Sequence, residues 1–159
     1  MKKKIVLKII FICMFIFALG FIYYNSSKDF DTSNQISYKV LGKVQGIITK
    51  VYGKNIESYK LNLLLRKFAH AFEFFILAMI SVIVFKNLKI NSINSIIYSL
   101  FIVLLWAVFD EYHQIGVPGR NSRVTDVIID FCGGTIGVML VSIAYSIKNM
   151  VKVLLSRKK

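Results

Sequence analysis

The chain has 159 residues, of which 56% are hydrophobic and only 18% are charged, and its mean hydropathy is +0.62. Soluble domains carry about 25% charged residues, so this composition excludes a water-soluble globular protein and predicts a membrane protein. The net charge of +13 would suggest nucleic acid in a soluble protein. Here the basic residues flank apolar runs, so we assign them to orientation in the membrane and to anionic lipid headgroups, and we expect no nucleic-acid partner.

The first predicted element is a transmembrane helix from Ile5 to Tyr24, which follows three lysines at positions 2–4. A bilayer is crossed by about 20 helical residues, and this run is long enough. Lysines before an apolar run are also typical of a secretory signal peptide, and residues 18–20 would be a weak cleavage site. Because the run continues to Tyr24, we favour an uncleaved anchor over residues 1–24.

Residues 25–63 are predicted to form an extracytoplasmic basic loop with an amphipathic helix at about Asn34–Tyr52. Apolar residues recur there at spacings of three and four, and lysines form a separate stripe. The apolar set is Ile36, Val40, Val44, Ile47 and Val51, and the lysines are Lys39, Lys43, Lys50 and Lys54. Such a helix lies in the plane of the membrane interface, although a helix that merely packs on the bundle would show the same pattern.

Three more spans are predicted at about Leu64–Phe85, Ile93–Ile115 and Val124–Ile147, which make residues 64–147 a three-span core. A basic cytoplasmic tail, residues 148–159, follows. No alternating strand pattern is present. The fold class is therefore an all-α integral membrane protein: four transmembrane helices and one amphipathic interfacial helix in the first extracytoplasmic loop. Cys13 and Cys132 lie in apolar runs and are predicted to be buried thiols without a disulfide.

Lysine and arginine divide almost evenly between the two sides of the membrane. Charges close to the spans count most, and an N-terminal lysine triplet usually dominates the orientation. We therefore predict a multi-pass protein of the bacterial cytoplasmic membrane with both termini in the cytoplasm.

Polar residues gather at three places in the spans. The second span begins with Arg66, Lys67, His70 and Glu73; the third ends with Asp110, Glu111, His113 and Gln114; and Arg120, Arg123, Asp126 and Asp130 surround the start of the fourth. Successive helices run antiparallel, so all three sets lie at the same side of the bilayer, whichever side that is. They contain five of the eight acidic residues, three of the four arginines and both histidines. Charges in a membrane helix are costly, which favours a function for this group.

Two features organise the start of the fourth span. Residues 116–119 are predicted to form a tight turn, with Pro118 and Gly119 where a type II turn requires them. Arg120 follows the turn, where it could reach a ligand without being needed to build a span. Gly133 and Gly137 continue the face of Asp126 and Asp130 as a G-x-x-x-G, which allows close approach of another helix.

Four motifs stand in order between about Leu63 and Ile147: R-K-F-A-H-x-x-E at residues 66–73, D-E-Y-H-Q at 110–114, P-G-R at 118–120 and D-V-x-x-D-x-x-G at 126–133. In combination they resemble the VanZ-like family of bacterial integral membrane proteins. The resemblance implies a role in the cell envelope, linked to resistance against teicoplanin-type glycopeptides. It implies no particular reaction.

We consider three functions for the polar group. In the first, it binds an anionic lipid or a lipid-linked envelope precursor through Arg66, Lys67, Arg120, Arg123, Gln114, Asp126 and Asp130, because guanidinium groups suit bidentate contacts with phosphate. In the second, it is a membrane-embedded acid–base or metal-dependent enzyme, with His70, Glu73, Asp110, Glu111 and His113 as catalytic candidates. In the third, it is an ion-pair network that serves folding or regulation. We predict no metal and no cofactor, and a homo-oligomer is left open.

Overall fold

The structure, a computed structural model, describes residues 2–52 and 58–156. Over these residues the chain forms five α-helices and no strand: α1 (Lys2–Ser26), α2 (Phe30–Tyr52), α3 (Ser58–Asn87), α4 (Ser92–Gln114) and α5 (Val124–Ser156). All except α2 are long and apolar enough to cross a membrane. This confirms the predicted all-α fold with four candidate spans. Lys54 and residues 157–159 lie outside the described residues, as do the side chains of Val44, Ile47 and Val51.

The helices extend beyond the predicted spans. α3 begins at Ser58 rather than near Leu64, and α5 runs to Ser156 rather than to Ile147. With 30 residues, α3 is about 45 Å long at 1.5 Å per residue, whereas the hydrocarbon core is about 30 Å thick. Hydropathy locates the part of a helix that lies in lipid, but the backbone hydrogen bonds continue past it.

α3 is the centre of the bundle, because it packs against all four other helices. Its closest approach is to α5, at the predicted G-x-x-x-G. A Cβ atom added at Gly133 would overlap the carbonyl group of Ala71, and one added at Gly137 would overlap that of Phe75. The prediction of close helix contact at these two glycines is confirmed.

The turn before α5 also has the predicted geometry. The Arg120 N–H donates to the Val117 carbonyl at 3.1 Å, and Gly119 has a φ of +73°, as position three of a type II turn requires. The Phe30 N–H donates to the Pro118 carbonyl at 3.3 Å, and Phe30 packs against Gly119. The start of α2 is thereby joined to the turn that carries Arg120.

α2 contains the predicted amphipathic helix and begins earlier, at Phe30. Over the described part of the chain, α3 is the one helix that it packs against; Leu41 is buried there and Asn62 donates a hydrogen bond to Asn34. Ile36 and Val40 remain exposed. The helix thus packs on the bundle through one side and still presents an apolar surface outside it.

The prediction of buried cysteines is wrong. Cys13 and Cys132 are free, as predicted, but both are exposed on the outside of the bundle. In a membrane an apolar side chain can face lipid as well as the protein core. An apolar surrounding sequence therefore does not indicate burial inside the protein.

Candidate functional site

A cavity of about 370 Å³ lies at one end of the bundle, which we call the charged end. There α1 and α4 finish and α3 and α5 begin. All seven residues predicted to bind a ligand line the cavity: Arg66, Lys67, Gln114, Arg120, Arg123, Asp126 and Asp130. The cavity is also lined by Phe30, Tyr59 and Asn121, which were not predicted from the sequence.

Arg120 is held in the cavity wall by two neutral acceptors. Its Nε donates to the Lys28 carbonyl and its Nη1 donates to Gln114 Oε1, both at 3.3 Å. Burial lowers the pKa of the Arg120 guanidinium from its ordinary value, while the carboxylates of Asp110 and Glu111 oppose that shift. Arginine stays protonated in proteins, so the cavity contains a partly desolvated positive charge.

Arg66 and Arg123 contribute two more guanidinium groups. The Arg66 guanidinium lies 4.8 Å from the centroid of the Phe30 ring, a cation–π contact. Arg123 is exposed, and it is its backbone N–H, not its side chain, that donates to Glu111 Oε2, at 2.8 Å. Within the described residues, neither of them nor Arg120 forms an ion pair with a carboxylate. In the part of the chain that the structure describes, three guanidinium groups at one cavity therefore form no ion pair.

Lys67 differs from the three arginines. Its Nζ forms an ion pair with Asp126 that joins α3 to α5 across the cavity wall. Both side chains are partly exposed, and such pairs contribute little to stability. Lys67 is therefore already neutralised, whereas the sequence suggested a direct contact with a ligand.

Three buried carboxylates lie close together at the charged end. Oxygen atoms of Asp110, Glu111 and Asp130 lie within 4.8 Å of one another, and the residues are only 2%, 6% and 2% exposed. Gln114 donates to Asp110 Oδ2 at 2.8 Å, so this amide connects a carboxylate to Arg120. Divalent cations such as Mg²⁺ and Ca²⁺ take oxygen ligands, and these are the described residues whose spacing suits one. The absence of a metal stays a prediction.

Glu73 and His70 lie on the side of the site next to α1. Glu73 Oε1 accepts a hydrogen bond from Asn25 Nδ2 at 2.7 Å, and Lys28 donates to Asn25 Oδ1 at 2.8 Å. His70 Nδ1 is 3.9 Å from Glu73 Oε2, and both atoms are buried without a hydrogen-bond partner among the described residues. His70 lines the cavity at the charged end, whereas Glu73 does not.

The catalytic candidates form two close pairs and one separate residue. His70 Nδ1 lies 3.9 Å from Glu73 Oε2, and carboxylate oxygens of Asp110 and Glu111 lie within 4.8 Å of each other. Of these four residues, His70 and Glu111 line the cavity. His113 lies against α1 and does not line the cavity, with its Nε2 3.0 Å from Ser27 Oγ and its ring 4.5 Å from the Tyr23 ring.

The end of α1 was missed as part of the site. Asn25 binds Glu73, Ser26 is fully buried beside Gln114, and the carbonyl of Lys28 binds Arg120. A signal was present, because the polar run Asn25-Ser26-Ser27-Lys28 closes the first span. The antiparallel argument that joined the other helix ends would have placed this run at the same end of the bundle.

A family model described as VanZ/LLP1 matches residues 10–145. The match covers most of the chain and includes about two thirds of α1 and the whole of α2, so it extends beyond the region of the four motifs. Comparisons with curated proteins and with solved structures found no match.

Proposed function

The chain belongs to the VanZ/LLP1 family, and we propose that its charged end binds the anionic headgroup of a membrane lipid or of a lipid-linked envelope precursor. The observation that carries this proposal is the set of three guanidinium groups, of Arg66, Arg120 and Arg123, that lack a carboxylate partner within the described residues. Guanidinium groups bind phosphate oxygens in a bidentate manner. A partly desolvated cation such as Arg120 interacts more strongly with an anion in the same cavity than an exposed one does, because the local dielectric is lower.

The electrostatics of the cavity support an anion of small net charge. Four cationic side chains and three carboxylates line it, and the pair of Lys67 and Asp126 removes one of each. A phosphate group would balance the remaining excess of positive charge. At about 370 Å³ the cavity lies within the range of ligand pockets, roughly 300–1,000 Å³.

The orientation belongs to the same proposal. With both termini cytoplasmic, the charged end faces the outside of the cytoplasmic membrane of a bacterium. Binding of an envelope lipid at that face would connect the cavity to glycopeptide resistance of the teicoplanin type, which the family resemblance implies. Homo-oligomers are compatible with this arrangement.

Cysteine labelling tests the orientation. In a variant without Cys13 and Cys132, a cysteine at Asn121 should react with an impermeant maleimide in intact cells, because Asn121 is exposed at the charged end. A cysteine at Asn87, at the opposite end of α3, should react only after lysis. The reverse pattern would place the charged end in the cytoplasm.

Arg123 is the best residue for testing the binding itself. Its side chain is exposed and makes no hydrogen bond within the described residues, while its backbone contact to Glu111 would survive substitution. Arg123→Gln should weaken retention of phosphatidic acid by the purified protein roughly tenfold, the cost of one charge-assisted contact. Lys148→Gln, which removes one charge from the exposed opposite end of the bundle, is the matched control.

Native mass spectrometry with phosphatidic acid, and with phosphatidylcholine as the zwitterionic reference, provides the measurement. Equal retention of both lipids by the unmodified protein would refute the anionic site. Release of inorganic phosphate from phosphatidic acid would favour the enzyme alternative, with His70 and Glu111 as the candidates at the cavity. Unchanged retention in Arg123→Gln together with a loss of folding in cavity variants would favour a structural network.

A further inference from the structure

We infer that the ligand is held by a hydrocarbon chain as well as by its headgroup, in an apolar groove that lies beside the cavity on α3. This inference rests on the proposed function, because it assigns the apolar part of the same ligand. The groove, which we call the chain groove, has a volume of about 490 Å³. Leu41 of α2, Leu61, Leu64, Phe68 and Ala71 of α3, and Ile129 of α5 line it.

The chain groove and the polar cavity share two residues. Lys67 and Ile129 line both of them. The Nζ of Lys67 is turned to Asp126 at the cavity, so the surface that Lys67 offers to the groove is its apolar stem. A molecule whose phosphate lies among the arginines would pass Lys67 and Ile129 and enter the groove with its apolar end.

The groove lies beside the cavity, at the same level of the bundle. Leu61 and Ala71 are ten residues apart on α3, which corresponds to about 15 Å at 1.5 Å per residue, and the cavity lining on α3 runs from Tyr59 to His70. A headgroup in the cavity and a chain in the groove would therefore lie side by side, with Lys67 and Ile129 between them.

The apolar residues that line the chain groove exclude water and a soluble anion as its occupant. The groove walls are almost entirely apolar, and an apolar cavity without polar partners does not hold ordered water. Leu64 and Phe68 are 64% and 67% exposed at its open edge, while Leu41 is 2% exposed. The groove is open towards lipid, and among the helices as far as they are described, the one that contributes Leu41 packs on α3 only. An acyl or polyprenyl chain fits these surroundings.

A photoreactive lipid tests the position of the chain. Phosphatidic acid with a diazirine in its acyl chain is incorporated into phosphatidylcholine nanodiscs that contain the full-length protein. Crosslinks should concentrate on Leu61–Ala71 and Ile129, and unlabelled phosphatidic acid should displace them. The same diazirine chain on phosphatidylcholine should label the exposed faces of all four spanning helices without this concentration.

Two variants and two matched controls test the groove by its chemistry. Ala71→Phe fills it and Leu64→Asn places an amide in it, whereas Cys132→Phe and Ile128→Asn make the same kinds of change at exposed positions of α5 that line neither the groove nor the cavity. Each groove variant should weaken retention of phosphatidic acid about tenfold, which corresponds to about 1.4 kcal/mol. Binding of glycerol phosphate, which has no chain, should stay unchanged, and this also shows that the variant is folded.

The outcomes separate the inference from the proposed function. If glycerol phosphate binds as tightly as phosphatidic acid and the groove variants change neither, the inference is wrong and the anionic site stands. If neither compound binds, the proposed function fails as well. Crosslinks spread evenly over the lipid-facing helices, or crosslinks from the groove to a second copy of the chain, would also overturn the inference.

Discussion

The charged end and the opposite half of the bundle differ in what joins their helices. In the opposite half the buried side chains are mostly apolar, and Leu77, Val82 and Val103 are fully buried. Among the described residues, two side-chain hydrogen bonds link α3 to α4 there, one from Ser81 to Ser99 at 3.0 Å and one from Lys86 to Ser92. At the charged end, amides and charged groups make the connections. Buried apolar side chains offer no bond to an anion, whereas a network of neutral acceptors around cations leaves their charge available to one.

The largest effect is expected where the backbones of α3 and α5 are in contact, next to the charged end. Gly133→Ala would drive a Cβ into the carbonyl group of Ala71, and backbone atoms cannot move aside as a side chain can. We expect a loss of about 2–3 kcal/mol in the free energy of unfolding, in the range of overpacked cores. Gly20→Ala is the control, because nothing lies within 4 Å of its added Cβ. Detergent unfolding curves in which both variants lose equal stability would contradict the close packing of α3 on α5.

Asn25 joins α1 to the charged end, and its loss should be the next largest effect. Asn25→Leu removes the donor to Glu73 Oε1 and the acceptor of Lys28, which leaves a part-buried carboxylate without its amide. A cost of about 1–3 kcal/mol is expected for an unsatisfied group of this kind. Asn121→Leu, at an exposed position, provides the control in thermal unfolding. Similar stability of the two variants would show that α1 is held by apolar contacts alone.

Arg120 and Arg123 sharpen the distinction between folding and binding. Arg120→Gln loses the contacts to Gln114 and to the Lys28 carbonyl, so it should lower the free energy of unfolding by about 1–2 kcal/mol. It should also weaken the retention of phosphatidic acid. Arg123→Gln should change stability by less than about 0.5 kcal/mol, as for a surface substitution. Thermal unfolding and lipid retention measured on both variants would separate the two effects. Equal stability of both would mean that Arg120 does not tie α1 to the turn.

The smallest effect is expected for the ion pair between α3 and α5. A double-mutant cycle on Lys67→Met and Asp126→Asn should give a coupling of about 0.2–1 kcal/mol, because both side chains are partly exposed. The coupling should fall as salt is added. A coupling of several kcal/mol would place this pair among the main contacts of the fold and would weaken the contrast between the two halves.

Arg120 shows where local inference stopped. The Pro118-Gly119 pair correctly predicted the turn that precedes Arg120. It also suggested that Arg120 is not needed to build a span, and it gave no sign of the bonds that Arg120 makes to Gln114 and to the Lys28 carbonyl. The partners of Arg120 lie 6 and 92 residues away in the chain. Turn chemistry describes a few adjacent residues, and it contains no information about contacts at such separations.

The sequence by itself determined the four spans, the type II turn, the close glycine contact and the meeting of three helix ends, because hydropathy, turn geometry and antiparallel order are local or topological properties. Tertiary structure decided how each helix is rotated about its axis. That rotation turned His113 towards Tyr23 and Ser27 and placed Glu73 where it accepts a hydrogen bond from Asn25. It also exposed the two cysteines on the outside of the bundle. The physical reason is that lipid and protein core are equally apolar, so hydropathy does not distinguish the buried face of a membrane helix from its outer face.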